Sequence, residues 1–148
     1  MSEWQRLDDL DMAEEIRDDK GVKIRLFLSP FDVPEAVRGY YDQKSQRFRI
    51  EFRYVSEEAE RIVEYPREKY ISLFVGKNSG RLLRIDVDVN SLKAPSVQIE
   101  MAVLEKVEDA IDELNRLVPD VRKHGNYDLA KKVIASNKDE LFEELVPA

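Results

Sequence analysis

A chain of 148 residues, 43% hydrophobic and 37% charged, holds enough apolar material for one core of ordinary domain size and too much of it to stay disordered. Thirty-one acidic residues against 24 basic ones give a formal charge of −7, which weighs against a general nucleic-acid binder, since phosphate contacts come from clustered Lys and Arg. The absence of cysteine removes thiolate catalysis, disulfides and Cys-ligated zinc together, while the acids Asp8, Asp9 and Asp11 near the start and the lack of any run of about 20 apolar residues predict a cytoplasmic chain with no secretory signal and no membrane contact.

In chain order, Leu7, Leu10, Met12, Ala13 and Ile16 have loosely helical spacing, and Gly21 supplies a stop, so a short helix is predicted within 1–20. From Val22 the period becomes two: Val22, Ile24, Leu26 and Leu28 share one face, Lys23 and Arg25 the other, which predicts a half-buried strand. A strand over 36–41 and a polar connection over 42–45 lead into Arg47–Tyr54, where Phe48, Ile50, Phe52 and Tyr54 alternate with Arg47, Arg49, Glu51 and Arg53. A weaker strand over 61–65 ends at Pro66. Ile71, Leu73 and Val75, then Lys77-Asn78-Ser79-Gly80, then Leu83, Ile85, Val87 and Val89 read as a long hairpin with glycine where positive φ is needed.

After Pro95 the period turns helical. Ile99, Val103, Val107, Ala110, Ile111, Leu114 and Leu117 form one stripe, and Val118-Pro119 ends it. A second helix is predicted after Gly125-Asn126, carrying Leu129, Ala130, Val133 and Ile134; Asn137 with Glu140 reads as a capping box for a last turn through Leu141, Phe142 and Leu145. The expected fold is therefore a single α+β domain over 1–148: a curled antiparallel meander of about six strands over 22–89, packed against C-terminal helices over 97–146.

Asp86 and Asp88, two apart on a strand, project from one face and could bind a hard cation or divide acid and base roles; the plainer reading is an ion-pair-laced outer face shared with Arg84 and the strand 47–54. With Tyr70 they are the candidate polar groups of a pocket in the curved sheet. His124, the one histidine, has no serine, cysteine or second histidine near it in sequence and reads as a residue of the loop between two helices. Arg47, Arg49, Arg53, Arg81 and Arg84 with Phe27, Tyr40 or Phe74 have the composition of a single-stranded nucleic-acid surface, but Glu51, Asp86 and Asp88 in the same strands cancel much of that field. No glycine-rich phosphate loop, His-Glu-x-x-His or Gly-x-Ser-x-Gly is present.

The expectation is a non-enzymatic protein-binding or regulatory module, with no cofactor and no metal, acting through a protein partner or as a homo-oligomer; an acidic neutraliser of the immunity-protein or antitoxin kind is its specific form. The alternative is a small enzyme or ligand-binding protein with a polar pocket in the sheet. Tyr41-Asp42, then Phe48-Arg49-Ile50-Glu51-Phe52, then Gly80-Arg81-Leu82-Leu83-Arg84-Ile85-Asp86-Val87 together resemble the small prokaryotic family of unknown function numbered 2283, over roughly 40–90. The resemblance implies a compact antiparallel sheet and no assigned activity, and it carries over no functional residue.

Overall fold

The computed structural model describes residues 4–7, 14–19, 22–27, 33–55, 59–67, 70–92, 98–119, 121–143 and 145. Among the described residues eight strands are formed: β1 (Gln5–Arg6), β2 (Glu14–Asp19), β3 (Val22–Phe27), β4 (Pro34–Asp42), β5 (Arg47–Tyr54), β6 (Ile62–Arg67), β7 (Ile71–Gly76) and β8 (Leu82–Val87). A 3-10 turn (Val89–Leu92) precedes helices α1 (Ile99–Leu117), α2 (Val121–Ser136) and α3 (Lys138–Leu141). The class is α+β as expected, with a six-stranded antiparallel sheet and the helices in the C-terminal part.

The sheet runs β1-β4-β5-β8-β7-β6. Hairpins join β4 to β5, β6 to β7 and β7 to β8, but the link from β5 to β6 crosses to the far edge, so β8 returns beside β5 in Greek-key order. The predicted strand at 22–28 is present as β3, yet in the described residues it pairs only with β2, as a separate two-stranded sheet, and the sixth place in the main sheet belongs to Gln5–Arg6. Alternation reveals a strand and its faces, whereas its partner is a non-local choice.

The predicted N-terminal helix is corrected where it can be seen. Glu14–Asp19 is a strand, with Asp18 opposite Lys23 and Arg17 opposite Ile24; Leu10, Met12 and Ala13 lie outside the described residues. A helix there would stack Glu14 on Asp18 and Glu15 on Asp19 at i, i+4, where like charges repel.

The inner face of the sheet follows the two-residue period. Gly39, Ile50, Ile85, Leu73 and Tyr65 lie in register across five strands, and Tyr41, Phe48, Val87 and Ile71 form the next row. On this face pack Ile99, Val103, Val107, Ala110, Ile111 and Leu114 of α1, and Leu129, Ala130, Val133 and Ile134 of α2. Leu117, the last residue of the predicted stripe, is instead exposed. At the β8 end the phase slips. Phe74 pairs with Arg84 but Val75 with Leu82, so Leu83 is an extra, bulged residue. Leu82, not the predicted Leu83, therefore enters the core, and Leu83 turns to the outer side.

Two local readings at the C-terminal end change. α2 begins at Val121 and contains Gly125, so His124 sits in its first turn and not in a loop. Asn137 makes no side-chain cap; its Nδ2 donates back to the Val133 carbonyl of α2 at 2.9 Å. The hairpin glycine is as expected: Gly80 has φ +73. Pro66 lies within β6, opposite Ser72, and is tolerated because β6 is an edge strand. Among the described residues no helix is long and apolar enough to cross a membrane.

Candidate functional site

The residues singled out from sequence are not gathered into one centre. Asp86 is buried on the outer face of β8, between Arg84 (Nε to Oδ1, 3.0 Å) and Arg49 (Nε to Oδ1, 3.4 Å). Burial pushes its carboxyl above the ordinary range, against the pull of Arg84, Arg49 and Arg47. Asp88 holds the 3-10 turn: its Oδ2 accepts the Ser91 hydroxyl at 2.8 Å, and its N–H donates to the Tyr70 carbonyl at 2.8 Å. Tyr70 lies on the other side of the molecule from the outer-face arginines, near Lys106, whose Nζ is 5.8 Å from its ring. His124 Nε2 donates to the Val118 carbonyl at 2.6 Å and so closes the α1–α2 corner. These are structural duties. Among the described residues no group of three or more metal-ligating side chains converges.

The Asp86 shift has a testable sign. A carboxyl whose folded-state pKa is raised favours the fold fully below its unfolded value, about 3.9, and loses that contribution as pH rises through the folded value. Asn mimics the protonated group. The stability of the parent relative to Asp86→Asn is therefore expected to fall as pH rises from about 3 toward 7, read as the difference in urea midpoints. A difference that grows with pH would mean the two arginines outweigh burial.

A richer arrangement occupies the same face, where the charged rows of the sheet meet three aromatic rings. Arg38, Glu51, Arg84, Phe74 and Glu64 are consecutive cross-strand partners from β4 to β6. Arg38 donates to Glu51 Oε2 from Nε (3.2 Å) and Nη2 (2.9 Å), and the Tyr40 hydroxyl donates to Glu51 Oε1. Burial and the Glu51 carboxylate push the Tyr40 phenol up. The guanidinium carbons lie over rings: Arg84 over Phe74 at 4.1 Å, Arg38 over Trp4 at 4.4 Å and Arg53 over Trp4 at 5.0 Å. Trp4 reaches this face because β1 pairs with β4, placing Arg6 opposite Ala36.

Between these groups lies a cleft of about 460 Å³, lined among others by Trp4, Arg53, Ile62, Phe74, Leu83 and Arg84. Arg81 and the carboxylates Glu51 and Glu60 complete its charged lining. Glu60 is locked: its Oε1 accepts the N–H groups of Asn78 and Ser79, each at 2.9 Å. Burial would raise its carboxyl, but those hydrogen bonds and Arg81 outweigh it and hold the group below the ordinary range. Gly76 makes the fit possible, since a Cβ there would come within 2.5 Å of the Glu60 carboxylate oxygen. Ile62 is 55% exposed at the cleft mouth.

Sequence reading found Arg53, Arg81, Arg84 and Phe74 as part of a basic patch. It missed Trp4, which arrives through a two-residue strand too short for any periodicity to reveal, and Leu83, which only the bulge turns outward. A lone tryptophan in an acidic opening stretch was the available signal. Compared with known proteins, the chain matches no protein-family model, no curated protein and no solved structure.

Proposed function

We propose that this chain is a non-enzymatic binding module whose working surface is the arginine–aromatic cleft on the outer face of the sheet. One observation carries the reading: aromatic rings and guanidinium groups are already assembled around a space of about 460 Å³, within the roughly 300–1,000 Å³ of small-molecule sites. The cleft's two carboxylates are both committed, Glu51 to Arg38 and Tyr40 and Glu60 to backbone N–H groups, which leaves neither poised as a general base. Asp86, His124 and Asp88 are likewise occupied in holding the fold.

A fragment screen by two-dimensional NMR tests this. Binders are expected to shift the Trp4 indole N–H, the Ile62 methyls and the Phe74 ring together, Trp4 being the one tryptophan and so an unambiguous reporter. Shifts scattered over the surface, or centred on the helices, would overturn the assignment.

A second reading, an acidic neutraliser of a basic partner protein, draws on the outward face of α1, where Glu100, Glu105 and Asp109 are exposed around Met101, itself 77% exposed. A triple charge reversal at Glu100, Glu105 and Asp109 that leaves binding of the partner unchanged would remove that reading.

A further inference from the structure

Resting on the cleft as the working surface, we propose that its ligand is a compact monoanion with a flat apolar body, of the aromatic monocarboxylate class, the carboxylate gripped by Arg53 and Arg84. The carboxylates beside the arginines limit the ligand's charge. Among the described residues Arg53, Arg81 and Arg84 line the cleft with Glu51 and Glu60; Arg53 and Arg84 stand against Glu35 and Asp86, Glu51 is held by Arg38, and Glu60 is held by backbone N–H groups. A single carboxylate can meet the exposed edges of Arg53 and Arg84, whereas a dianion or a polyanion is opposed more strongly by Glu51, Glu60 and the −7 of the whole chain.

The donors are prepared for a single oxyanion. Arg53 and Arg84 form ion pairs on the Nε side, with Glu35 at 3.6 Å and Asp86 at 3.0 Å, and among the described residues neither buried Nε makes a hydrogen bond. Among the described residues no hydrogen bond is made by the Nη atoms of either group, and the two side chains stay 37% and 32% exposed. A guanidinium carries five N–H donors in a planar fork that matches a carboxylate, so the Nη edges are what a ligand would meet. The two arginines stand one diagonal step apart on β5 and β8, since Arg84 is opposite Glu51; at about 7–8 Å between such positions, long side chains converge on one group.

Stacking preorganises them. Arg84 rests on Phe74 at 4.1 Å and Arg53 on Trp4 at 5.0 Å, so little rotamer freedom remains to be lost on binding. The apolar part of the lining, with Leu83, Ile62 and the ring of Phe74, offers a bed for a flat body. Size and shape both speak against a chain-like nucleic acid.

The test uses the whole chain and three probes sharing one body: 2-naphthoate, 2-naphthamide and 2-naphthyl phosphate, titrated while following the Trp4 indole and the arginine Nε–H resonances. Naphthoate is expected to bind at least about tenfold more tightly than the amide. Arg53→Gln and Arg84→Gln should each lower naphthoate affinity about tenfold, Arg84→Lys should recover part of it, and dispersed spectra will show that the variants are folded. Equal binding of amide and carboxylate, tighter binding of the phosphate, or glutamine variants that hold naphthoate as the parent does would each overturn the monoanion proposal while leaving the cleft as the binding surface. If no fragment of any kind shifts the cleft, the functional reading beneath it falls as well.

Discussion

Asn126→Ala is expected to lower the stability of the fold by about 2–4 kcal/mol, because it leaves a buried backbone N–H without a partner and removes a second hydrogen bond. The bulge at Leu83 is the origin of this sensitivity. Leu82, the residue before it, donates its N–H to Asn126 Oδ1 at 2.8 Å, and its carbonyl accepts the Tyr54 hydroxyl at 2.8 Å. Asn126 Nδ2 closes the ring by donating to the Tyr54 oxygen at 2.9 Å. Asn126 is 2% exposed, so no water replaces what the alanine takes away. For a chain of this size the melting temperature should drop by roughly 5–15 °C. Tyr54→Phe breaks the same ring from the β5 side and should lower stability by about 1–3 kcal/mol; the double variant should cost less than the two singles together, since both dismantle one network. Urea unfolding of the four proteins decides it. An Asn126→Ala protein within about 0.5 kcal/mol of the parent would show that the ring is incidental. The same bulge turns Leu83 outward between Arg81 and Arg84, so loss of the ring should also loosen the wall of the cleft and weaken binding there.

The parts of this molecule that follow from local pattern were readable in the chain, and the parts that depend on distant pairing were not. Phe48, Ile50 and Phe52 enter the core and Arg47, Arg49 and Arg53 stay on the outer side because a strand alternates whatever its neighbours are. The helix Ile99–Leu117 obeys its stripe and its proline stop in the same way. The strand order could not be read, because nothing in 62–67 says that it crosses to the far edge and lets β8 settle beside β5. Nor could the partner of 22–27, whose alternating residues suit either sheet equally. The cleft depends on both kinds of non-local event: a two-residue strand that brings Trp4 to Arg38 and Arg53, and a single inserted residue that shifts the phase of β8. Asn126, polar beside a glycine, gave every local sign of a turn, and it is buried because Leu82 needs its amide.

Gly39→Ala is expected to be the most disruptive single methyl group that can be added to the sheet, costing about 2–3 kcal/mol. Gly39 points inward on β4, opposite Ile50, where every neighbouring strand carries a side chain. Here α3 takes that space with its backbone: a Cβ on residue 39 would collide with the Leu141 carbonyl oxygen and come within 3.0 Å of the Leu141 carbonyl carbon and of Phe48 Cζ. A rigid carbonyl cannot swing aside as a side chain can, so relief requires α3 to move. With it would go Phe142, whose ring meets Phe48 edge-on with centroids 5.8 Å apart, and the buried Leu145. Gly76→Ala is the internal comparison. Its added methyl meets the end of the Glu60 side chain, which can rotate away at the loss of its hydrogen bonds, and about 1 kcal/mol is expected. Hydrogen exchange separates the two cases, because the Leu141 and Phe142 amides bond to Asn137 and Lys138 only while α3 is docked. In Gly39→Ala those amides should exchange faster while the β5 and β8 amides remain protected. Unchanged exchange at Leu141 together with a stability loss no greater than that of Gly76→Ala would mean that α3 does not rest on the β4 backbone.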